Sequence, residues 1–210
     1  MRRWRALLVA GLVAFSVTLS AQISLAPTAW TVRYSPGMPT HPSPLVGMAG
    51  WFIDLPAPPG SLHYVTTPNR TVFVNGQTLT FSVQIQASAD ADVAYDTEPA
   101  NTCVYPAHVR AYLEDRDFKS HPSDDFTRWW SNPIAVEIVD GVWTASTPIA
   151  LGFWSSVYGT WNQDYPAQWA HALARPSSMG MTFGGGCFFG HGVYMRTGTA
   201  RVILTSYIIQ

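Results

Sequence analysis

The sequence predicts an all-β fold, an antiparallel β-sandwich or jelly roll that carries one or two short helices. Many short apolar or β-branched segments are separated by proline, glycine and asparagine, which is typical of strands joined by turns. One segment, TLTFSVQIQ at residues 78–86, alternates apolar and polar residues without a break. Helical periodicity is sparse. These observations favour two sheets packed face to face.

The first 21 residues have the order of a secretory signal. A basic start, MRRWR, precedes the uncharged run ALLVAGLVAFSVTL and the small residues SAQ. The uncharged run covers residues 6–19, which is shorter than the roughly 18 apolar residues that a membrane-spanning helix needs. We therefore expect cleavage after Ala21, a secreted protein (extracellular or periplasmic) that begins near Gln22, and no stable membrane span.

The predicted mature chain is acidic and poor in charge. Removing Arg2, Arg3 and Arg5 leaves 9 basic residues against 13 acidic ones, a net charge of about −4. A nucleic-acid partner is therefore not expected, because such proteins present a basic surface. Only 12% of all residues are charged, whereas 13% are aromatic, so uncharged polar side chains must keep the surface soluble.

The mature chain is predicted to consist of an arm and one domain. Residues 22–46 are punctuated by proline and show no period, which predicts an extended N-terminal arm. Residues 47–210 are predicted to form a single β-sandwich domain, since a chain of this length can bury one large core. Cys103 and Cys187 remain in a chain expected in an oxidising compartment, which favours a disulfide between them; two buried free thiols are the alternative.

The first strand candidates follow one another along residues 50–86. GWFIDLPAPPG and SLHYVTTP are short apolar runs ended by prolines, which predicts two strands separated by a turn. In TLTFSVQIQ the apolar residues share one side and the Thr, Ser and Gln residues share the other, so this strand should be half-buried. The dipeptide NG at 75–76 predicts a tight turn before it.

The second half of the chain continues the strand pattern. CVYPAHVRAYLE, IAVEIVD and VWTAST are strand candidates, and DG at 140–141 predicts a hairpin between the last two. TARVILTSYII is apolar on both faces, which predicts a central strand. SDDFTRWW predicts one or two helical turns, and DYPAQWAHALA predicts a short helix with Asp164 as its cap and Pro166 in its first turn.

The stretch MTFGGGCFFGHGVYM, residues 181–195, allows three interpretations. A phosphate-binding loop would need a following helix and a lysine, which the sequence does not supply. A catalytic pair of Cys187 and His191 is disfavoured, because four residues along a strand separate them by roughly 13 Å. We therefore expect a strand with Cys187, Phe189 and His191 on one side. Its glycines would give room for a neighbouring strand or for a flat ligand.

Aromatic residues are concentrated in LGFWSSVYGTWNQDYPAQW, residues 151–169, much of which is turn-like. Aromatic rings with a polar edge suit the apolar face of a sugar ring, but large aromatic residues are mostly buried, so the favoured interpretation is that they cover one end of the core. Trp129 and Trp130 are neighbours that face opposite ways on a strand, so at most one of them shares this surface. The candidate ligand-binding residues are Trp154, Tyr158, Trp161, Trp130 and His191.

The C-terminal half contains a recognisable series of segments. In order they are RWWSNPIAVEIVDGVWTASTPI, WSSVYG, an alanine-rich helix, MTFGGGCFFGHGV and TARVILTSYII. This series resembles a group of uncharacterised secreted proteins that end in a galactose-binding-like jelly roll. The resemblance covers roughly residues 100–210, with GWFIDLP and HYVT as weaker upstream matches. It implies a β-sandwich of the carbohydrate-binding-module type and assigns no catalytic residue.

Acidic residues occur in close groups, which raises the question of an enzyme or a bound ion. The groups are Asp90 with Asp92, Asp96 with Glu98, Asp124 with Asp125, and Glu114 with Asp115 and Asp117. Two carboxylates across a cleft would suit a glycosidase, but solvated turns are the favoured interpretation. The histidines show neither HxH nor HExxH spacing and no DxDxDG loop is present. No cofactor is expected, and structural calcium stays open.

These features together predict a secreted, non-catalytic binding module for carbohydrate or cell-surface glycan that uses an aromatic surface. The alternatives are a glycan hydrolase or lyase that uses the paired carboxylates, and a structural or assembly protein of the cell exterior. Asn69 begins a glycosylation sequon, Asn-Arg-Thr, which matters only in a eukaryotic export pathway.

Overall fold

Antiparallel strands dominate the chain, as the sequence pattern predicts. The computed structural model describes residues 20–35, 37, 44–47, 50–95, 106–119, 125–187 and 189–210. The strands of these residues are β1 (Ala21–Gln22), β2 (Thr31–Arg33), β3 (Phe52–Asp54), β4 (Tyr64–Pro68), β5 (Thr78–Ala87), β6 (Asp92–Tyr95), β7 (His108–Asp115), β8 (Arg128–Ser131), β9 (Val136–Glu137), β10 (Gly141–Pro148), β11 (Trp154–Ser156), β12 (Pro176–Gly184), β13 (Val193–Thr197) and β14 (Ala200–Ile209). The helices of these residues are α1 (Pro166–Ala174) and the short 3₁₀ segments Pro27–Ala29, Arg116–Lys119 and Val157–Gly159.

The described strands form two large sheets. The five-stranded sheet has the order β1–β14–β5–β10, and β3 also pairs with β14. The seven-stranded sheet has the order β11–β8–β7–β12–β4–β2, and β9 also pairs with β7. β6 and β13 form a small separate ribbon. Buried residues of both large sheets belong to one hydrophobic core, so the described chain is an antiparallel β-sandwich.

The two sheets differ in how they are covered. β5 alternates buried and half-buried residues along most of its length, which confirms the half-buried strand predicted for TLTFSVQIQ. In β7 every residue from Val109 to Asp115 is buried, and the first four residues of β4 are buried too. The middle of the seven-stranded sheet is therefore covered on both faces, whereas the five-stranded sheet leaves one face to solvent.

β14 is the central strand of the five-stranded sheet, as predicted. It pairs with β5 along one edge and with β1 and β3 along the other. Its buried Tyr207 reaches across the core, where the phenolic O–H donates a 2.9 Å hydrogen bond to the carbonyl of Gly180 in β12. This bond joins the two sheets directly.

The N-terminal segment was expected to be an arm outside a domain that begins near Gly47, and this boundary is wrong for its described part. β1 pairs with β14 and β2 pairs with β4, so the segment contributes to both sheets. Trp30 is only 5% exposed and lies edge-on to Trp51 and Tyr207, with ring centroids 5.6 and 5.3 Å apart. Strands of two or three residues are too short to show a period, which is why the pattern missed them.

Two local predictions in the second half of the chain are wrong. The DG dipeptide does not join a hairpin, because β9 pairs with β7 and β10 pairs with β5, so the chain crosses between the sheets at this point. The described part of SDDFTRWW includes the start of β8 instead of a helical turn. In both cases pairing with distant strands overrides the local signal.

The predictions of a short helix and of a turn at Gly76 are confirmed, apart from the helix cap. α1 begins at Pro166, and its Trp169 and Leu173 are buried on one face. Its N-cap is Tyr165, with no side-chain cap bond, so the predicted cap at Asp164 is wrong. Gly76 lies in a turn with φ of 94°, which confirms the turn predicted from NG.

The glycine stretch is a loop between β12 and β13, so the predicted continuous strand is wrong. β12 ends at Gly184 and β13 begins at Val193. The expected common side for Cys187, Phe189 and His191 therefore does not exist. Close packing is confirmed: a side chain at Gly190 would collide with the Tyr64 hydroxyl, and Gly192 has a φ of +93° against the buried Ser61 and His63. The loop needs glycine to lie this near β4.

Several expectations fall outside the described residues. Residues 1–19 and Cys103 are among them, so the signal peptide and the Cys103–Cys187 disulfide stay predictions. Among the helices that the structure describes, none reaches the length and apolarity that crossing a bilayer requires.

Trp30 provides a test of whether the N-terminal segment is part of the core. Trp30→Ala should lower the free energy of unfolding by about 3–5 kcal/mol, because it empties a buried site that touches both Trp51 and Tyr207. Thr28→Ala, an exposed change in the neighbouring 3₁₀ segment, is the matched control and should change it by less than about 0.5 kcal/mol. Urea denaturation measures both. Equal effects of the two variants would contradict the integrated segment.

Candidate functional site

The outer face of the seven-stranded sheet carries polar and aromatic side chains. Along β7, alternation sends Val109, Ala111 and Leu113 to the core, and it sends Arg110, Tyr112 and Glu114 to the outer face. The register aligns Tyr112 with Gly180 of β12 on one side and with Trp130 of β8 on the other. Gly180 in turn lies opposite Thr66 of β4. Side chains of β8, β7 and β4, together with Gly180 of β12, therefore share one face.

A small aromatic cluster lies on this outer face, separate from the main core. It consists of Tyr64, Tyr112 and Trp130. The Tyr64 and Tyr112 ring centroids are 5.0 Å apart, and those of Tyr112 and Trp130 are 5.7 Å apart. Val157 and Phe189 pack against the cluster from the two loops that flank the sheet. These loops explain why the face is covered and not open.

A pocket of about 40 Å³ lies beside this cluster. Since roughly 10–15 Å³ of such space holds one water-sized group, the pocket has room for about three of them. The lining comes from β2, β4, β7 and β8 and from the segments that follow β2 and β7. The lining residues are Arg33, Tyr34, Ser35, Tyr64, Thr66, Tyr112, Glu114, Phe118 and Arg128.

Glu114 is the carboxylate of the pocket, and it has three partners. Arg33 lies 3.3 Å from Oε1, the Ser177 hydroxyl donates to the same oxygen at 3.0 Å, and the Tyr112 hydroxyl donates to Oε2 at 3.0 Å. Burial first, and then the charge of Glu114, raise the pKa of Tyr112 well above its ordinary value. The Tyr112 phenol therefore keeps its proton and remains a donor at neutral pH.

Arginine side chains outnumber carboxylates among the residues named on this face. Arg128 lies over the Phe118 ring, with its guanidinium carbon 4.7 Å from the centroid. Arg110 is buried over the Phe189 ring at 4.0 Å and donates a hydrogen bond to the carbonyl of Ser131. Burial lowers the pKa of Arg110 to about 10, so its charge persists at neutral pH. Neither Arg110 nor Arg128 has an ion pair with a described carboxylate.

Several buried polar atoms on this face have no hydrogen-bond partner among the described residues, and Arg110 Nε is one of them. Thr66 Oγ1 and Arg128 Nε belong to pocket-lining residues, and Ser178 Oγ and Trp130 Nε1 belong to their neighbours on the sheet. A buried polar atom without a partner costs about 1–3 kcal/mol. Thr66 Oγ1 and Arg128 Nε belong to residues that line one pocket, where a water molecule or a polar ligand would supply the missing partners.

The structure separates the predicted site residues. Trp154 is 0% exposed, stacks on Trp169 at 5.6 Å and donates a hydrogen bond to the carbonyl of Pro148, so its expected place on an exposed surface is wrong. Trp130 is 4% exposed and lies in the outer aromatic cluster behind the pocket. It is covered by the loops around it and presents no open face.

The other three candidates lie nearer to solvent but do not line the pocket. Trp161 is half-buried and bridges to Ser155, which lies opposite Trp130, so Trp161 extends the same side of the sheet. Tyr158 is 88% exposed and has a φ of 64°, unusual for a residue other than glycine. His191 is half-buried in the 185–192 loop. The five residues therefore do not form one aromatic platform.

The sequence reasoning missed Arg33, Tyr64, Thr66, Tyr112 and Arg128. A signal for this face was present in HVRAYLED at 108–115, where Val, Ala and Leu alternate with Arg, Tyr and Glu. Such alternation marks one core face and one polar face. Charged and phenolic residues in the middle of a strand therefore indicate a candidate site as strongly as the tryptophans do.

Ser61 and His63 are close enough to suggest a nucleophile and a base, but their hydrogen bonds oppose that role. Nδ1 of His63 accepts the backbone N–H of Ser35 at 2.8 Å, so the proton of the neutral ring is on Nε2. Nε2 then donates to Ser61 Oγ, 2.8 Å away, instead of taking its proton. This pair supports the adjoining loop.

Asp115, Asp117 and His171 bring three potential metal ligands within 4.8 Å of one another. An imidazole among the ligands suits a transition metal better than calcium. Arg175 already donates a 2.7 Å hydrogen bond to Asp117, and His171 lies 3.2 Å from its other oxygen. Arg175 and His171 therefore already contact the carboxylate of Asp117. Asp96, Glu98 and Asp124 lie outside the described residues.

No protein-family model matches the sequence, and a search of curated proteins found none with significant similarity.

Two buried threonines on the outer face give a matched test of the unpartnered groups. Thr66→Val should leave the free energy of unfolding unchanged or raise it by about 1 kcal/mol, because it removes a hydroxyl that has no described partner. Thr182→Val should lower it by about 1 kcal/mol, because the Thr182 hydroxyl donates to the Phe189 carbonyl at 2.7 Å. Denaturant titration measures both, and a clear loss with Thr66→Val would show that this hydroxyl is structural.

The buried carboxyl of Asp115 gives a pH test. Burial is the largest cause that raises its pKa, so the folded state takes up a proton at higher pH than the unfolded state does. Its contribution to stability is therefore gained as pH falls toward about 4 and lost as pH rises. Relative to Asp115→Asn, the native protein should become more stable as pH falls from 7 to 4. Exposed Asp164→Asn is the control, and parallel curves for native protein and Asp115→Asn would contradict the assignment.

Proposed function

We propose that this chain is a non-catalytic binding module that takes part of a carbohydrate or cell-surface glycan into the pocket on the outer face of the seven-stranded sheet. The observation that carries the proposal is the presence of Thr66 Oγ1 and Arg128 Nε, both buried and both without a described partner, on residues that line that pocket. A ligand rich in hydroxyl or other polar groups would supply those partners.

The composition of the lining supports a sugar in particular. Tyr34 and Phe118 are half-buried aromatic residues of the lining, and aromatic rings suit the apolar face of a sugar. Tyr64, Tyr112 and Ser35 bring hydroxyl groups, and the Arg–Glu pair brings charged donors and acceptors. A few polar groups among aromatic rings are typical of small-molecule sites.

Two residues nearer to solvent are available to the parts of a longer saccharide outside the pocket. Trp161 lies on the same side of the sheet as Trp130 and Ser155, which are themselves covered. Val157 packs on the aromatic cluster, and the exposed Tyr158 follows it directly in the chain. Under the proposal, Trp161 and Tyr158 contact sugar units outside the pocket, while Trp154 supports the fold.

The enzyme alternative has less support. Hydrolysis by the usual mechanism needs two carboxylates that flank the glycosidic bond, whereas Glu114 is the one carboxylate of the described pocket lining. It is also engaged by Arg33, Tyr112 and Ser177. Binding without release of reducing ends is the expected result.

The proposal places this binding outside the cytoplasm. Its support is the basic, apolar and small-residue order of residues 1–21. The resemblance of residues 100–210 to secreted galactose-binding-like jelly rolls agrees with the same role.

Glycan-array screening followed by calorimetry on the strongest ligand tests the proposal. Thr66→Val should weaken binding roughly 3- to 10-fold, the effect of losing one hydrogen bond, while the fold stays intact. Phe118→Ala should also weaken it, because an aromatic face of the lining is lost.

Trp143→Ala is the matched control, since Trp143 is 40% exposed and lies on β10 of the other sheet. Its affinity should equal that of the native protein. If no saccharide binds, or if Trp143→Ala weakens binding as much as Phe118→Ala does, the pocket is not the binding site.

A further inference from the structure

We infer that the bound saccharide is acidic and that its carboxylate enters the pocket, where it pairs with Arg128. This inference rests on the proposed function and specifies its ligand class. It depends on three properties of the pocket: its charge, its size and the geometry of Arg128.

The charge on this face is positive although the chain as a whole carries a net charge of −1. Arg33 and Arg128 line the pocket, Arg110 is on the same face, and Glu114 is the carboxylate that opposes them. Glu114 is already paired with Arg33. Arg128 lies opposite Glu114 on the neighbouring strand, but its guanidinium forms no ion pair with a described carboxylate, and a partly buried cation that is not directly paired is unfavourable. An anionic group in the pocket relieves that cost.

The size of the pocket selects a small group. Space of about 40 Å³ holds about three water-sized groups. A carboxylate, with one carbon and two oxygens, has this size, whereas a sugar ring does not fit. The ring would remain outside the pocket, against the half-buried Tyr34 and Phe118.

The geometry of Arg128 suits a planar anion. Its Nε–H has no acceptor among the described residues, and an arginine edge can donate two parallel hydrogen bonds to one carboxylate. The Phe118 ring, 4.7 Å from the guanidinium carbon, holds that edge in place. Thr66 Oγ1 lies in the same lining and is free to donate a third bond.

Calorimetry on the full chain with matched probes tests the inference. The probes are oligomers of galacturonate, glucuronate and mannuronate, the methyl ester of each, and sulfated dextran oligosaccharides. We expect one of the uronates to bind at least 10-fold more tightly than its methyl ester, as expected for a charge-assisted pair. Raising the salt concentration should weaken binding of the acid more than binding of the ester.

Arg128→Gln should abolish the difference between acid and ester while leaving the affinity for the ester unchanged. Arg70→Gln, which removes an equal charge from an exposed position, should preserve the difference. If Arg128→Gln does not fold, Arg128→Lys keeps the charge but not the planar two-donor edge, and it should reduce the difference between acid and ester several-fold.

The outcomes distinguish the two proposals. Equal affinity for acid and ester overturns the carboxylate inference and leaves the binding module standing. Tighter binding of sulfated oligosaccharides than of every uronate also overturns it, in favour of a sulfated ligand. If none of these probes and no neutral glycan binds, the proposed function itself fails.

Discussion

The double burial of the seven-stranded sheet is the constraint on which the rest of the structure depends. A sheet covered on one face can place all its polar residues in water, as β5 does with its threonines, serine and glutamines. β7 cannot expose its polar residues to water in this way, because its outer residues are covered as well. Arg110, Tyr112 and Glu114 must therefore find partners inside the protein or in a ligand.

Most of the polar groups on that covered face do find protein partners, and the exceptions define the site. Glu114 accepts bonds from three side chains, whereas Thr66 Oγ1 and Arg128 Nε accept or donate none that the structure describes. Natural proteins tolerate such costs of a few kcal/mol where function needs an open group. The face therefore combines a stabilising hydrogen-bond network with buried groups that the described residues leave without partners; under the proposal, a ligand supplies those partners.

The sequence was sufficient for the fold class because long strands carry a clear period. β5 and β14 span ten residues each, and their patterns predicted one half-buried and one central strand correctly. β1, β2 and β11 span two or three residues, too few for periodicity, so the N-terminal segment was misjudged. The DG dipeptide failed because local turn preference does not determine which sheet the next strand joins.

The site was harder to predict because it depends on register. The sequence predicted a site around large tryptophans. In the structure Trp154 alternates into the core, while its neighbour Ser155 lies opposite Trp130 on the outer side. Thr66 and Tyr112 lie on β4 and β7, which are brought together by their common pairing with β12, whereas Arg128 lies on β8, which pairs directly with β7. A single sequence does not contain that pairing.

The central position of β14 in its sheet has a consequence for folding during synthesis. Thr80 of β5 pairs with Ile208, 128 residues later. β1 pairs with the same strand, β14. A nascent chain emerging from the ribosome consequently cannot close the five-stranded sheet until its final segment is synthesised. Until then β5 and β10 are the neighbours in that sheet that can pair, while β1 and β3 lack the strand with which the described structure pairs them.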